Sequence, residues 1–197
     1  MLSGRVHHPF NGQKTSDSVW LGKDVKIDKD AVLEGPCLIG DYSRIEKDAY
    51  IGPYSVIGSN CNIGKGATVK RSVLWDHVVL GDKAAVRGAA LCGKVETGSR
   101  VSVYEGAVIG DSCQLKAGSS VKPQVKIWPG KTIEEGNIVQ SNVIWGTRAS
   151  RSLFGKDGIN GPVNIELTPH TIAKIGEAFG AFLTPGKKVA VSCDSYP

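Results

Sequence analysis

The sequence predicts a mainly β chain, coiled into a prism of short strands and followed by a short, incomplete α/β segment of one helix and one strand. Three observations carry this. Aliphatic residues recur every six positions, Val and Ile (21 and 15) outnumber Leu (11), and the six-residue period stops near residue 148. β-branched side chains lose rotamer freedom in helices and suit pleated surfaces. A sustained period of six matches neither the 3.6 of a helix nor the two of a simple strand. The 25 glycines add a demand for many tight corners.

The first repeat runs through Leu21, Ile27, Leu33, Ile39, Ile45, Ile51, Ile57, Ile63 and Val69. One residue is then lost, and Leu74, Leu80 and Val86 follow. A second loss precedes Leu91, Thr97 as the one polar exception, Val103, Ile109, Leu115, Val121, Ile127, Ile133 and Val139, and a third gives Ile144. Four residues after the aliphatic a small or β-branched side chain usually follows, as at Cys37, Ser43, Ala49, Ser55, Cys61 and Ala67. Glycine often stands directly after the aliphatic, as at Gly40, Gly58, Gly81 and Gly110, where it is expected to supply backbone freedom. Sorting by threes makes the first face all Leu or Ile and the third mostly Val. All three losses, with Pro36, Pro53 and Pro123, fall at the corner from the third face back to the first. About seven coils at the interstrand spacing give a prism roughly 33 Å tall.

These hexapeptides resemble the hexapeptide-repeat family, which implies a left-handed parallel β-helix over residues 18–147. Residues 1–17 read as a linker-like tail. The exposed ends of such a stack need covers, and the tail and the segment after Trp145 are available.

Residues 148–197 change character. Thr168 and Pro169 open a helix as cap and first helical residue, and Ile172, Ile175, Phe179 and Phe182 follow at helical spacing. Thr184-Pro185-Gly186 stops the element, and Val189-Ala190-Val191 reads as a buried strand. Phe154-Gly155-Lys156-Asp157-Gly158-Ile159-Asn160-Gly161, with Leu167-Thr168-Pro169 after it, resembles the start of domain I of phosphohexomutases, F-G-T-D-G-I-R-G and L-T-P. Gly155, Asp157 and Gly158 are the motif matches. Asn160 replaces the motif's Arg and removes a phosphate-pairing cation. The family's phosphoserine and magnesium loops are absent from this chain.

A hexapeptide prism running into a mutase-like opening resembles the middle of bacterial mannose-1-phosphate guanylyltransferase-like fusion proteins, sugar nucleotidyltransferases carrying a phosphomannomutase-like domain. That resemblance implies a non-catalytic assembly or regulatory module, a truncated central piece with both active sites and their Mg²⁺ outside it. The nucleotide fingerprint G-x-G-T-x-L-x-P occurs nowhere in the sequence. The alternative is a hexapeptide acyltransferase with His77, the one histidine on the prism, as general base beside Asp76. No cofactor or metal is expected in the chain itself. Cys37, Cys61 and Cys113 read as core fillers. Trp75, Trp128 and Trp145 follow first-face residues along one edge. They are either exposed turn residues or an apolar edge for self-association or for neighbouring transferase and mutase domains.

The net charge of +5 is scattered, which argues against nucleic acid as a partner. No apolar run reaches the roughly 20 residues of a membrane helix. Five cysteines without a CxxC pair, and a first segment lacking a signal-peptide core, fit the cytoplasm.

Overall fold

The computed structural model describes residues 13–15, 18–144, 148–149, 158–159, 167–183 and 187–190. The chain divides into two compact units, residues 1–153 and 154–197.

The first unit is a left-handed β-helix of about seven turns. Three parallel ladders of two- and three-residue strands form its faces, with a single antiparallel strand at one edge. Each coil stands on the next through backbone hydrogen bonds: Gly40 N–H donates to the Ile57 carbonyl (2.8 Å), and Trp75 N–H to that of Leu91 (2.9 Å). Stacked residues therefore share a column. Ile39, Ile57, Leu74, Leu91, Ile109 and Ile127 form the inward column of the first face, all essentially solvent-free. The second and third faces contribute columns through Ile45, Ile63 and Leu80 and through Ile51, Val69 and Val86. Thr97 keeps its inward place because its Oγ1 accepts the Gly81 amide at 3.1 Å, so the buried hydroxyl has a partner. Ser43 is buried in the same manner, donating to the Gly58 carbonyl and accepting from Cys61 N–H.

The corners differ from the expectation. Positive φ occurs three residues after the inward aliphatic, and mostly at non-glycine residues: Tyr42, Asn60, His77, Lys83, Lys94 and Ser112 all lie near +57°. At the first two shortened corners it moves to Arg71 and Gly88. The glycines directly after the aliphatic meet a different demand, close approach. A Cβ on Gly81 would lie 2.5 Å from the Gly98 carbonyl carbon, and one on Gly110 2.6 Å from Pro129 N.

The last coil also departs from the six-residue count. Val143, not Ile144, bridges Ile127 and packs on the core, so two residues rather than one are lost after Val139. Counting six from Val143 leads to Ala149, and Arg148–Ala149 does pair with Thr132–Ile133. At the other end Gln13–Thr15, within the tail, pairs antiparallel with Val19–Leu21 and covers the first face's edge.

In the second unit, α1 (Pro169–Phe182) begins as expected, with Thr168 Oγ1 accepting the Thr171 amide at 3.1 Å. Of its apolar residues, Ile172, Phe179 and Phe182 are exposed and Ile175 is half-buried, none of them joining a buried core among the described residues. Val189 and Ala190, expected in a buried strand, form none and are exposed, since no partner strand lies beside them among the described residues. Val191 lies outside the described residues. No helix among them is long and apolar enough to cross a membrane.

Gly81→Ala should lower stability by about 1–3 kcal/mol, because the rigid neighbouring coil cannot retreat. Gly130→Asn should cost less than about 1 kcal/mol, since asparagine visits its left-handed conformation and open space surrounds it. Urea unfolding midpoints compare the two.

Candidate functional site

The edge between the first and second faces gathers the polar and aromatic residues most able to bind something. One column holds the residues two places after each first-face aliphatic, among them Asp41, Asp76 and Asp111. Each of these carboxylates turns back onto the preceding coil. Asp41 Oδ1 accepts the Lys23 amide at 2.7 Å, Asp76 Oδ1 that of Ser59 at 2.7 Å, and Asp111 Oδ1 that of Gly93 at 2.8 Å. The next column holds His77, Lys94 and Ser112, all in the left-handed region with φ between 56° and 60°. Backbone bonds lock these corners together, Lys94 N–H to the Asp76 carbonyl (3.0 Å) and Ser112 N–H to that of Gly93 (2.9 Å).

Between them lies a hollow of about 300 Å³ lined by Trp75, Asp76, His77, Gly93, Lys94, Asp111 and Ser112. Trp75 is 57% exposed. Its carbonyl is held from behind by the Cys61 thiol, which donates at 3.1 Å, and Cys113 holds the Trp128 carbonyl in the same way. Trp128 is 49% exposed and stands three coils along the same column, after Cys92 and Gly110. Trp145 lies outside the described residues, as do Gly155 and Asp157. Gly158 has a φ of 101°, a conformation natural to glycine.

His77 thus sits exposed at a corner beside Asp76, one of whose carboxylate oxygens accepts the Ser59 amide. Lys94, Asp111 and Ser112 were not singled out from the sequence. Sorting the outward positions into columns, as the inward ones were sorted, would have aligned them with Asp76 and His77. A larger hollow of about 440 Å³ on the second face is lined by Lys26, Arg44, Lys47 and Lys65, but carboxylates answer two of these cations, Glu46 with Arg44 (3.7 Å) and Asp30 with Lys47 (3.3 Å). No group of three residues able to hold a metal occurs among the described residues.

Burial pushes the Cys37 and Cys61 thiols up to about 11, and raises those of Cys92 and Cys113 as well. The three inward cysteines are therefore packing groups with little thiolate at neutral pH.

The profile of the left-handed β-helix domain of the EIF2B subunit epsilon matches residues 16–121. The chain belongs to this family. Directly after its β-helix, residues 151–196 match the phosphoglucomutase/phosphomannomutase α/β/α domain I. Among curated relatives, the bifunctional protein GlmU of Staphylococcus haemolyticus is 29% identical over 179 residues, covering 85% of this chain and 38% of that protein. A UTP–glucose-1-phosphate uridylyltransferase of Synechocystis is 32% identical over 101 residues, 49% of this chain and 26% of the relative. The β-helix chain thus spans well under half the length of these relatives. Among solved structures, a putative acetyltransferase from Desulfovibrio desulfuricans superposes with a TM-score of 0.56 at 18% identity, covering 60% of this chain and 26% of that one. A hexapeptide transferase family protein from Anaplasma phagocytophilum gives 0.50 at 18% identity, covering 82% and 94%. These last two likenesses concern the fold alone.

Iodoacetamide labelling of the native β-helix, read by peptide mass spectrometry, should modify Cys92 ahead of Cys37, Cys61 and Cys113. Raising the pH from neutral to about 9 should increase the Cys92 signal while Cys37 and Cys61 stay unlabelled, because their thiols ionise well above the free value of roughly 8.5.

Proposed function

We propose that this chain is the non-catalytic β-helix, with the opening of a mutase-like domain, of a sugar-nucleotide-forming enzyme of the mannose-1-phosphate guanylyltransferase-like kind. The observation that carries this reading is the tandem of matches on one chain, a β-helix over 16–121 and a mutase domain I over 151–196. The relatives supply the chemistry: one is named for transfer of a uridylyl group to a sugar 1-phosphate, and others are bifunctional proteins that the chain matches over only part of their length. In such a parent the transferase and mutase centres lie outside residues 1–197, and Mg²⁺ belongs to those centres, where it offsets triphosphate charge. The module works in the cytoplasm.

The β-helix suits an assembly role because its coils are rigid and its ladders present flat faces. The proposed contact is the Trp128 edge, where a half-exposed indole stands on a stiff corner, docking a second copy of the chain or the neighbouring domains.

Mixed with mannose 1-phosphate, GTP and Mg²⁺, the chain alone should release no pyrophosphate, and release would overturn the non-catalytic assignment. Sedimentation velocity should show a species larger than the monomer, reduced to monomer by Trp128→Ser. Assembly unchanged in that variant removes the Trp128 contact.

A further inference from the structure

We infer that the hollow around Trp75 is a binding site for a neutral pyranose ring. Its volume of about 300 Å³ lies at the lower end of the roughly 300–1,000 Å³ of small-molecule sites, room for one sugar ring and little more. Trp75 supplies a large apolar surface, 57% exposed, on a backbone held by the Cys61 thiol behind its carbonyl. One face of a pyranose carries mainly C–H groups, which pack on such an indole. Around its rim a sugar needs both donors and acceptors, because each hydroxyl donates and accepts. The hollow provides both. Asp76 and Asp111 each spend one carboxylate oxygen on a backbone amide and have no other side-chain partner among the described residues. Lys94 and Ser112 add donors on successive corners.

The charge pattern narrows the ligand class. Two carboxylates against one ammonium leave the lining net negative, which repels a phosphate, while a simple cation would leave the Lys94 and Ser112 donors unused. A neutral polyol alone meets no like charge. The corners are already held by coil-to-coil hydrogen bonds, so binding orders little backbone. This binding is separate from the assembly role proposed above, since Trp128 lies three coils away, roughly 14 Å at the interstrand spacing.

The test is saturation-transfer NMR on the full chain with methyl α-mannopyranoside and methyl α-glucopyranoside, with mannose 1-phosphate and tetramethylammonium as charged probes. The ring protons of at least one glycoside should receive saturation, and both charged probes should bind more weakly. Trp75→Ala should weaken glycoside binding about tenfold or more, the loss of one good packing contact. Asp111→Asn keeps an oxygen for the Gly93 amide while removing the charge, and should weaken binding severalfold even if Trp75→Ala proves unstable. Trp128→Ala should leave it unchanged. Absence of transfer to both glycosides at their highest soluble concentration overturns the site, as does undiminished transfer in a folded Trp75→Ala protein, or preference for either charged probe. None of these outcomes bears on pyrophosphate release or sedimentation.

Discussion

Everything in the first unit depends on one constraint, that each coil must satisfy its backbone through the coils above and below it. The bonds are regular, amide to carbonyl from one coil to the next, as in Gly22 to Ile39, Gly40 to Ile57 and Gly58 to Leu74. They fix the separation of stacked residues at about 4.8 Å. A side chain is then judged chiefly against its two column neighbours. Inward, that selects an aliphatic residue at every level and forces Thr97, the one polar member of the repeat, to satisfy its hydroxyl on the Gly81 amide. At the corner it excludes a Cβ from Gly81, whose neighbour Gly98 is backbone rather than movable side chain.

The same constraint explains how a solenoid builds a site without loops. A corner residue such as His77 or Lys94 carries a left-handed backbone that costs a non-glycine residue roughly 1–2 kcal/mol. That cost is met by the amide-to-carbonyl bonds on either side, for example from Lys94 N–H to the Asp76 carbonyl. Side chains on successive corners consequently keep a fixed spacing. Asp76 and Asp111 then complete the corners by accepting amides from the coil before them, which fixes their orientation and leaves each one uncommitted oxygen.

Much of this was legible in the sequence, to different depths. The inward columns could be read because a sustained period of six fits neither a helix nor a simple strand and each buried position tolerates only a few residue types. The terminal register could not: Val143 and Ile144 are both β-branched aliphatics, so composition does not distinguish which bridges Ile127, and only continuity with Ala149 decides it. Glycine was ambiguous for a related reason, since the residue serves both positive φ and close approach, and only geometry separates Gly130 from Gly81. The cap and start of α1 are local and were readable from Thr168 and Pro169, whereas a strand at Val189 depends on a partner the local sequence does not supply. The hollow was least legible, because Trp75, Lys94 and Asp111 are far apart in sequence and meet only through stacking.

Nearest-neighbour stacking also limits how two regions of the edge can influence one another. Each coil's stability depends on the coils beside it, with no long-range contact that skips a level. Trp75 and Trp128 are separated by the Cys92 and Gly110 levels, whose inward residues Leu91 and Ile109 are fully buried and close-packed. A packed column of this kind offers no second arrangement into which a contact at one level could drive another, and coupling requires an element with two discrete states. Events at the two tryptophans therefore communicate only across the outer surface, by competition for the same occupant or by its reach along the edge. The fold thus places the hollow proposed for sugar binding and the contact proposed for docking on one edge while leaving each largely indifferent to the other.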